Sequence, residues 1–338
     1  MRNRFKRYGI SAALVFLALP VVAHHSRTIY DLERGISIEG VVTKFEWANP
    51  HVYLYVETRN GTGEPVVWEV EHGSTTAMGR RGWFRDTFVP GDRVVVQANP
   101  TKDSSRNMAL VSTVQKDGVT WIGRGRLVEE FSESIGSSVK AASLSGTWVV
   151  PQEQLVAYFS EPYSWPLTNR GIEALNNYDD ATMNPQLQCI SRTAPWFMIF
   201  PSLQRLDIGN SSASIRSEYG NIERVVHMDV SSHNGAPVTH QGHSIGSWQG
   251  ETLVVDTAHF SDHRSGHARG VPSGRQKHLV ERFQLDPGGT SLTYRFELRD
   301  PEYLALPVMG EVQYAYRPDL EFAPVDCDLE NARRFVGD

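Results

Sequence analysis

From Ile36 onward, apolar and polar residues alternate along the chain. That period of two marks strands with one face in a core. Ile36–Phe45 gives the first such run, His51–Glu57 the second and Pro65–Glu71 the third. Asn49-Pro50 turns the chain between the first two, and Asn60-Gly61-Thr62-Gly63 between the second and third. A short helical piece fits Ser74–Arg81, followed by strands over Arg93–Gln97 and Met108–Val114. Short strands with a single helix in mid-sequence predict a small closed barrel of OB type. A sandwich has the same periodicity, so the alternation alone does not separate the two. Leu127–Ser143 is polar, small and acidic and reads as a linker between a domain over 24–126 and a second over 144–338.

The second domain opens at Leu144-Ser145-Gly146-Thr147-Trp148, and residues 151–205 read as irregular. Hairpins follow. Ser214–Tyr219 and Arg224–Asp229 flank Gly220-Asn221, Ser244–Trp248 and Thr252–Thr257 flank Gln249-Gly250, and His278–Leu285 and Ser291–Leu298 flank Asp286–Gly289. Met309–Tyr316 adds a last strand. Successive hairpins without intervening helices predict an antiparallel up-and-down barrel, and Gly-x-Trp on its first strand is similar to the lipocalin pattern. The expected fold class is therefore all-β, an OB-like barrel followed by a lipocalin-like one.

Ahead of these elements, Arg2, Arg4, Lys6 and Arg7 precede an apolar run from Ile10 to Ala23 that ends in Val21-Val22-Ala23. Basic start, short apolar middle and small-residue end predict a secretory signal over residues 1–23, and hence a periplasmic or secreted protein. The alternative is an uncleaved anchor, for which the run is short. Cleavage removes four cations and takes the formal charge from −6 to −10. An acidic surface disfavours nucleic acid as a partner. Cys189 and Cys327 are the two cysteines. An even count in an oxidising compartment reads as one disulfide, with two buried thiols as the alternative.

Several segments together resemble a family of exported bacterial proteins of uncharacterised function. In the first domain these are His24-His25-Ser26, Tyr30-Asp31, Trp47–His51, Arg80-Arg81-Gly82-Trp83 and Pro90-Gly91-Asp92. In the second they are Asn184-Pro185 with Cys189, Arg224–Asp229, Gly242–Trp248, Gly250–Thr257, Val280–Phe283 and Cys327. The chain departs from the resemblance at Pro272-Ser273-Gly274-Arg275, where relatives carry a histidine after the proline. The resemblance implies no particular activity.

The candidate chemistry comes from the residues themselves. If Ala23 is the cleavage point, His24 offers an amine and a ring nitrogen, a pairing that suits copper. His51 or His72 could complete such a site, against the plain reading of a frayed terminus. Gly242-His243-Ser244-Ile245-Gly246 fits the serine-hydrolase G-x-S-x-G expression, but no helix follows the serine, so the match reads as a decoy. His227 and Asp229 share a strand face by parity, and with His243, Asp256 and Glu281 they form a candidate acid–base set if their faces converge inside the barrel. The competing reading is solvated outer-face charges or an ion pair such as Glu281 with Arg224. His259, His263 and His267 recur every fourth residue in a polar segment that reads as a loop. No P-loop, dinucleotide fingerprint, HExxH or CxxC occurs. The sequence thus predicts a binder of a small apolar molecule in the second barrel. An acid–base enzyme in that barrel, or a copper protein at the mature N-terminus, are the alternatives.

Overall fold

A computed structural model describes residues 29–79, 81–123, 139–150, 165–200, 202–322 and 327–334. The predicted signal segment, His24 and most of the linker lie outside them. The first domain contains β1 (Ile36–Glu46), β2 (Tyr53–Arg59), β3 (Pro65–Glu71), β4 (Arg93–Pro100), β5 (Met108–Lys116) and β6 (Val119–Ile122). The sheet order is β3-β2-β1-β4-β5-β6, and a parallel β3–β5 pairing closes the first five strands into a barrel. The helix Thr75–Gly79 falls between β3 and β4. Strand count, closure and helix position agree with the OB-like expectation. Alternation along β1–β5 sends Ile38, Val42, Leu54, Val56, Val96 and Val111 into the barrel.

The second domain is a closed barrel of nine strands. These are β7 (Gly146–Val149), β8 (Leu203–Ile208), β9 (Ser212–Ser217), β10 (Ile222–His227), β11 (His243–Gln249), β12 (Thr252–Ala258), β15 (His278–Leu285), β16 (Ser291–Arg299) and β17 (Val308–Tyr316). Between β12 and β15, β13 (His263–Ala268) and β14 (Val271–Ser273) form a separate hairpin. Strands adjacent in sequence are adjacent in the barrel, as a meander requires. An odd number of strands cannot close with every neighbour antiparallel. The parallel pair is β10–β11, with Val226 opposite Ser244 and His227 opposite Ile245. Parallel neighbours need a long crossover, and residues 228–242 supply it as a strap across the barrel end.

The interior of this barrel is filled by side chains. Trp148, Phe197, Phe283, Tyr294 and Tyr314 are buried there, with aliphatic residues between them. The helix Trp196–Ile199 buries all four of its side chains in this core. Its carbonyls are used as well: Tyr314 Oη donates to the Met198 carbonyl, and Gln204 Nε2 donates to that of Phe197 at 3.0 Å.

The chain end joins the two barrels. Cys327 is disulfide-bonded to Cys189, and the adjoining helix Leu329–Arg333 docks on the first barrel. Asp328 N donates to the Asn49 carbonyl at 3.0 Å, and Asn331 Nδ2 to that of His51 at 2.8 Å. Arg334 reaches Glu46 at 2.6 Å and Glu69 at 3.1 Å, with its guanidinium 4.0 Å from the Tyr53 ring centre. Arg333 Nε donates to the Leu187 carbonyl in the second domain at 3.0 Å. Cross-linking residues 138 apart restricts the unfolded chain, which the chain-entropy description values at about 5 kcal/mol.

Candidate functional site

Eight of the twelve histidines fall between His227 and His278. They cluster at the end of the second barrel where β11 and β15 begin and β12 stops. Their hydrogen bonds sort them into two sets.

The inner set is structural. His263 Nε2 donates to the Ser191 carbonyl at 3.0 Å, and its Nδ1 accepts from Ser265 N at 3.0 Å. One nitrogen gives and the other receives, which fixes a neutral ring. Burial holds its pKa down at about 3. His240, on the strap, donates to the same carbonyl at 2.7 Å. His267 donates to the fully buried Asp300 at 2.8 Å, and burial lowers its pKa to about 4. Lys277 is buried beside them. Its Nζ donates to Thr193 Oγ1 at 2.6 Å and to the Ala194 carbonyl at 2.5 Å, 4.4 Å from the Phe260 ring centre, and burial brings its pKa down to about 7. His263 and His267 lie on β13, in a hairpin and not in the expected loop, and each ring is taken up by a structural hydrogen bond.

The outer set is open to solvent. Asp256 Oδ1 accepts from His233 Nε2 and from His278 Nε2, each at 2.9 Å. A carboxylate only accepts, so both rings carry hydrogen on Nε2. His233 Nδ1 then faces His243 Nδ1 at 2.9 Å. His227 stacks on His243 with ring centres 4.9 Å apart, and His259 stands 5.9 Å from His233. The Asp256 side chain is 43% exposed and that of His278 41%. The His278 hydrogen bond holds the Asp256 carboxyl below its ordinary range, and the same bond raises His278. His243 is lowered by burial and then by the three rings around it.

Strand register assembles this set. The two-residue turn Gly250-Glu251 pairs Gln249 with Thr252, which places Ile245 opposite Asp256 and His243 opposite Ala258. Parity turns His227, His243, Asp256 and His278 outward, while Val226, Ser244, Val255, Thr257 and Leu279 fill the inside. The strap adds His233. His259 holds its place with φ at +57°, its Nδ1 donating to the Ala236 carbonyl of the strap at 2.9 Å.

The expected acid–base set is therefore divided. His227, His243 and Asp256 come together, but on the outer wall. Asp229 lies beyond the end of β10, exposed on the strap, so the parity argument does not reach it. Glu281 points inward and makes the anticipated ion pair with Arg224 at 2.7 Å, both side chains essentially inaccessible to solvent. Tyr294 Oη also donates to Glu281, at 2.9 Å. The G-x-S-x-G match has a packing explanation. Ser244 is buried in β11 with its Oγ 2.9 Å from Thr257 Oγ1. Gly242 has φ at +75°, and a Cβ there would meet the Ala258 carbonyl oxygen at 2.8 Å. At Gly246 a Cβ would strike Met228 Sδ at 2.3 Å.

Of the histidines expected at a copper site, His24 lies outside the described residues, and His51 and His72 lie on neighbouring segments with each ring against a backbone carbonyl. His72 is buried, its Nδ1 donating to the Val70 carbonyl at 2.9 Å and its ring 4.8 Å from that of Trp83. Burial holds its pKa at about 3. His51 is half-buried, with Nδ1 3.2 Å from the His72 carbonyl oxygen and 3.4 Å from Glu71, and its backbone receives the C-terminal helix. Among the described residues, no group of three or more His, Cys, Asp or Glu is arranged to hold a metal ion, and no helix is long and apolar enough to cross a membrane.

The sequence reading did not identify His233 and His278. His278 shares outward parity with Asp256 once the β12–β15 register is known; His233 lies on an irregular segment with no periodicity to place it. No curated protein and no solved structure matches this chain. A sequence profile described as a family of unknown function, DUF6152, matches residues 13–110, from the segment before the first barrel to the beginning of β5.

Proposed function

We propose that this is an exported protein whose second barrel carries out acid–base proton transfer on a small polar molecule at its histidine-rich end. One observation carries the reading: a half-exposed carboxylate, Asp256, bonded at 2.9 Å to the ring nitrogens of two histidines. A carboxylate so placed fixes the tautomer of each ring and stabilises the imidazolium that forms when the ring takes a proton. His278, charged-form-favoured and open to solvent, suits the role of proton donor and acceptor toward a bound molecule. His233 and His243 extend the relay through one shared proton. The basic-then-apolar leader and the Cys189–Cys327 disulfide support export. Interior crowding by Trp148, Phe197 and Tyr314 favours this rim over an apolar ligand enclosed in the barrel.

The test incubates the full chain in D2O with a panel of small carbonyl compounds and esters. Mass spectrometry then reads deuterium gained at carbon and ester hydrolysed. Wild type is expected to turn over a subset, and Asp256→Asn to lose at least about 100-fold of that rate, the usual worth of a positioned acid–base group. Equal rates in the two proteins, or no turnover by wild type, would overturn the reading.

A further inference from the structure

We infer that the strap, residues 228–242, is released by acid, so that protonation of its own histidines and of those it touches withdraws His233 from Asp256 and His243. The release itself follows from the contacts of the strap; its consequence for activity rests on the proton-transfer reading.

Apart from Met228 at its start, which packs against the barrel core and donates its N–H to the Ser211 carbonyl at 2.9 Å, the strap is held mainly by histidines. His233 ties it to Asp256 and His243, His240 ties it to the Ser191 carbonyl, and His259 ties its Ala236 carbonyl to the end of β12. Thr239 adds backbone bonds with His259 and Ser261 at 3.0 and 2.8 Å. Its two valines, Val230 and Val238, are exposed at 38% and 51%. A segment with so few buried apolar contacts belongs to the low-stability end of local opening.

The His233–His243 contact gives this hold its proton dependence. Two Nδ1 atoms at 2.9 Å need one hydrogen between them. In the neutral pair His243 donates. A first added proton is tolerated, because His233 becomes the donor and His243 moves its own hydrogen to Nε2. A second proton leaves two N–H groups facing each other, and the contact turns repulsive. The surroundings add to this. His227 on β10 stacks on His243, and His259 stands beside His233. From β15, His278 competes with His233 for the single charge of Asp256, with Arg299 and Glu297 acting on His278 from β16. On the inner side, His240 faces His263 at 5.2 Å and the charge of Lys277, and Arg192 acts on His263. One carboxylate thus answers several cations as they form. Because burial and its neighbours lower His243, the second protonation falls below the ordinary histidine value of about 6.5.

Hydrogen exchange of the full chain, read by mass spectrometry at about pH 7.5 and about pH 5 and corrected for intrinsic rate, tests this. Strap peptides of the wild type should exchange at least about ten-fold faster at the lower pH while β15 and β16 hold their protection. His243→Asn keeps a donor toward His233 but takes up no proton, and should abolish the acid step; His233→Gln provides a second variant with the same expectation. Equal strap protection at both pH values, an acid step that persists in both variants, or strands that open together with the strap would overturn the inference. Since no substrate is involved, an acid step without catalysis would sink the proposed activity and leave the strap standing.

Discussion

Asp256 and Glu281 lie on neighbouring strands, one residue out of step: Val255 faces Glu281 and Asp256 faces Val280. That single residue of parity puts them on opposite sides of the same wall. Glu281 is sealed inside, answered by Arg224 and Tyr294, with no route for a substrate proton. Asp256 stands at the rim, bonded to two histidines that solvent reaches. The inner carboxylate is costly to bury and must be satisfied where it stands; the outer one costs little and is free to work. Residue type alone would have assigned both to one site.

The inner pair should dominate stability. Arg224→Met leaves Glu281 buried without its cation and is expected to destabilise by about 3–5 kcal/mol in denaturant unfolding. The double variant Arg224→Met/Glu281→Leu should recover most of that loss. A single variant as stable as wild type would break the contrast. Next in size is Tyr294→Phe, which deletes a hydrogen bond to the same carboxylate and should cost about 1.5–3 kcal/mol. The outer carboxylate is expected to matter least for folding: Asp256→Asn should change stability by less than about 1 kcal/mol, since Asp256 and His278 are 43% and 41% exposed and only His233, at 20%, is mostly covered.

The small outer contribution has a definite pH window. Asp256 is lowered in the folded protein, so its contribution is complete above the ordinary carboxylate value and fades as pH falls through the lowered one. His278 is raised, so its contribution is complete below the ordinary histidine value and is lost as pH rises through the raised one. Both act together between about pH 4 and about pH 6.5. A difference between wild type and Asp256→Asn that is widest in that window, in unfolding curves taken across pH, would sharpen the contrast.

Much of the fold was legible because alternation and turns are local. The first-barrel strands fall within a few residues of the alternating runs, and the turns at Gly220-Asn221, Gly250 and Asp286–Gly289 mark real reversals. The 203–208 strand was not legible, being embedded in a segment rich in proline and aromatics. Nor was the 263–273 hairpin, where Ser265 and His267 look polar in sequence but are buried, Ser265 accepting from Gly270 N within the hairpin and His267 donating to Asp300 from beyond β16. The site was legible in part. His227, His243 and Asp256 could be named from strand positions, but which side of the wall they occupy depends on barrel closure. His233 depends on a strap whose path is set by the single parallel pair of a nine-stranded barrel, a consequence of counting strands that local periodicity does not encode.

The most direct measurement is a pH titration of the His278 ring by NMR in wild type and in Asp256→Asn. His278 is expected to titrate above the ordinary histidine value of about 6.5 in wild type and to fall back toward it in the variant. The signals of His233 and His243 should shift as well, through the relay. A His278 that titrates at the ordinary value in both proteins would contradict the linkage through Asp256, and with it the proton-transfer site.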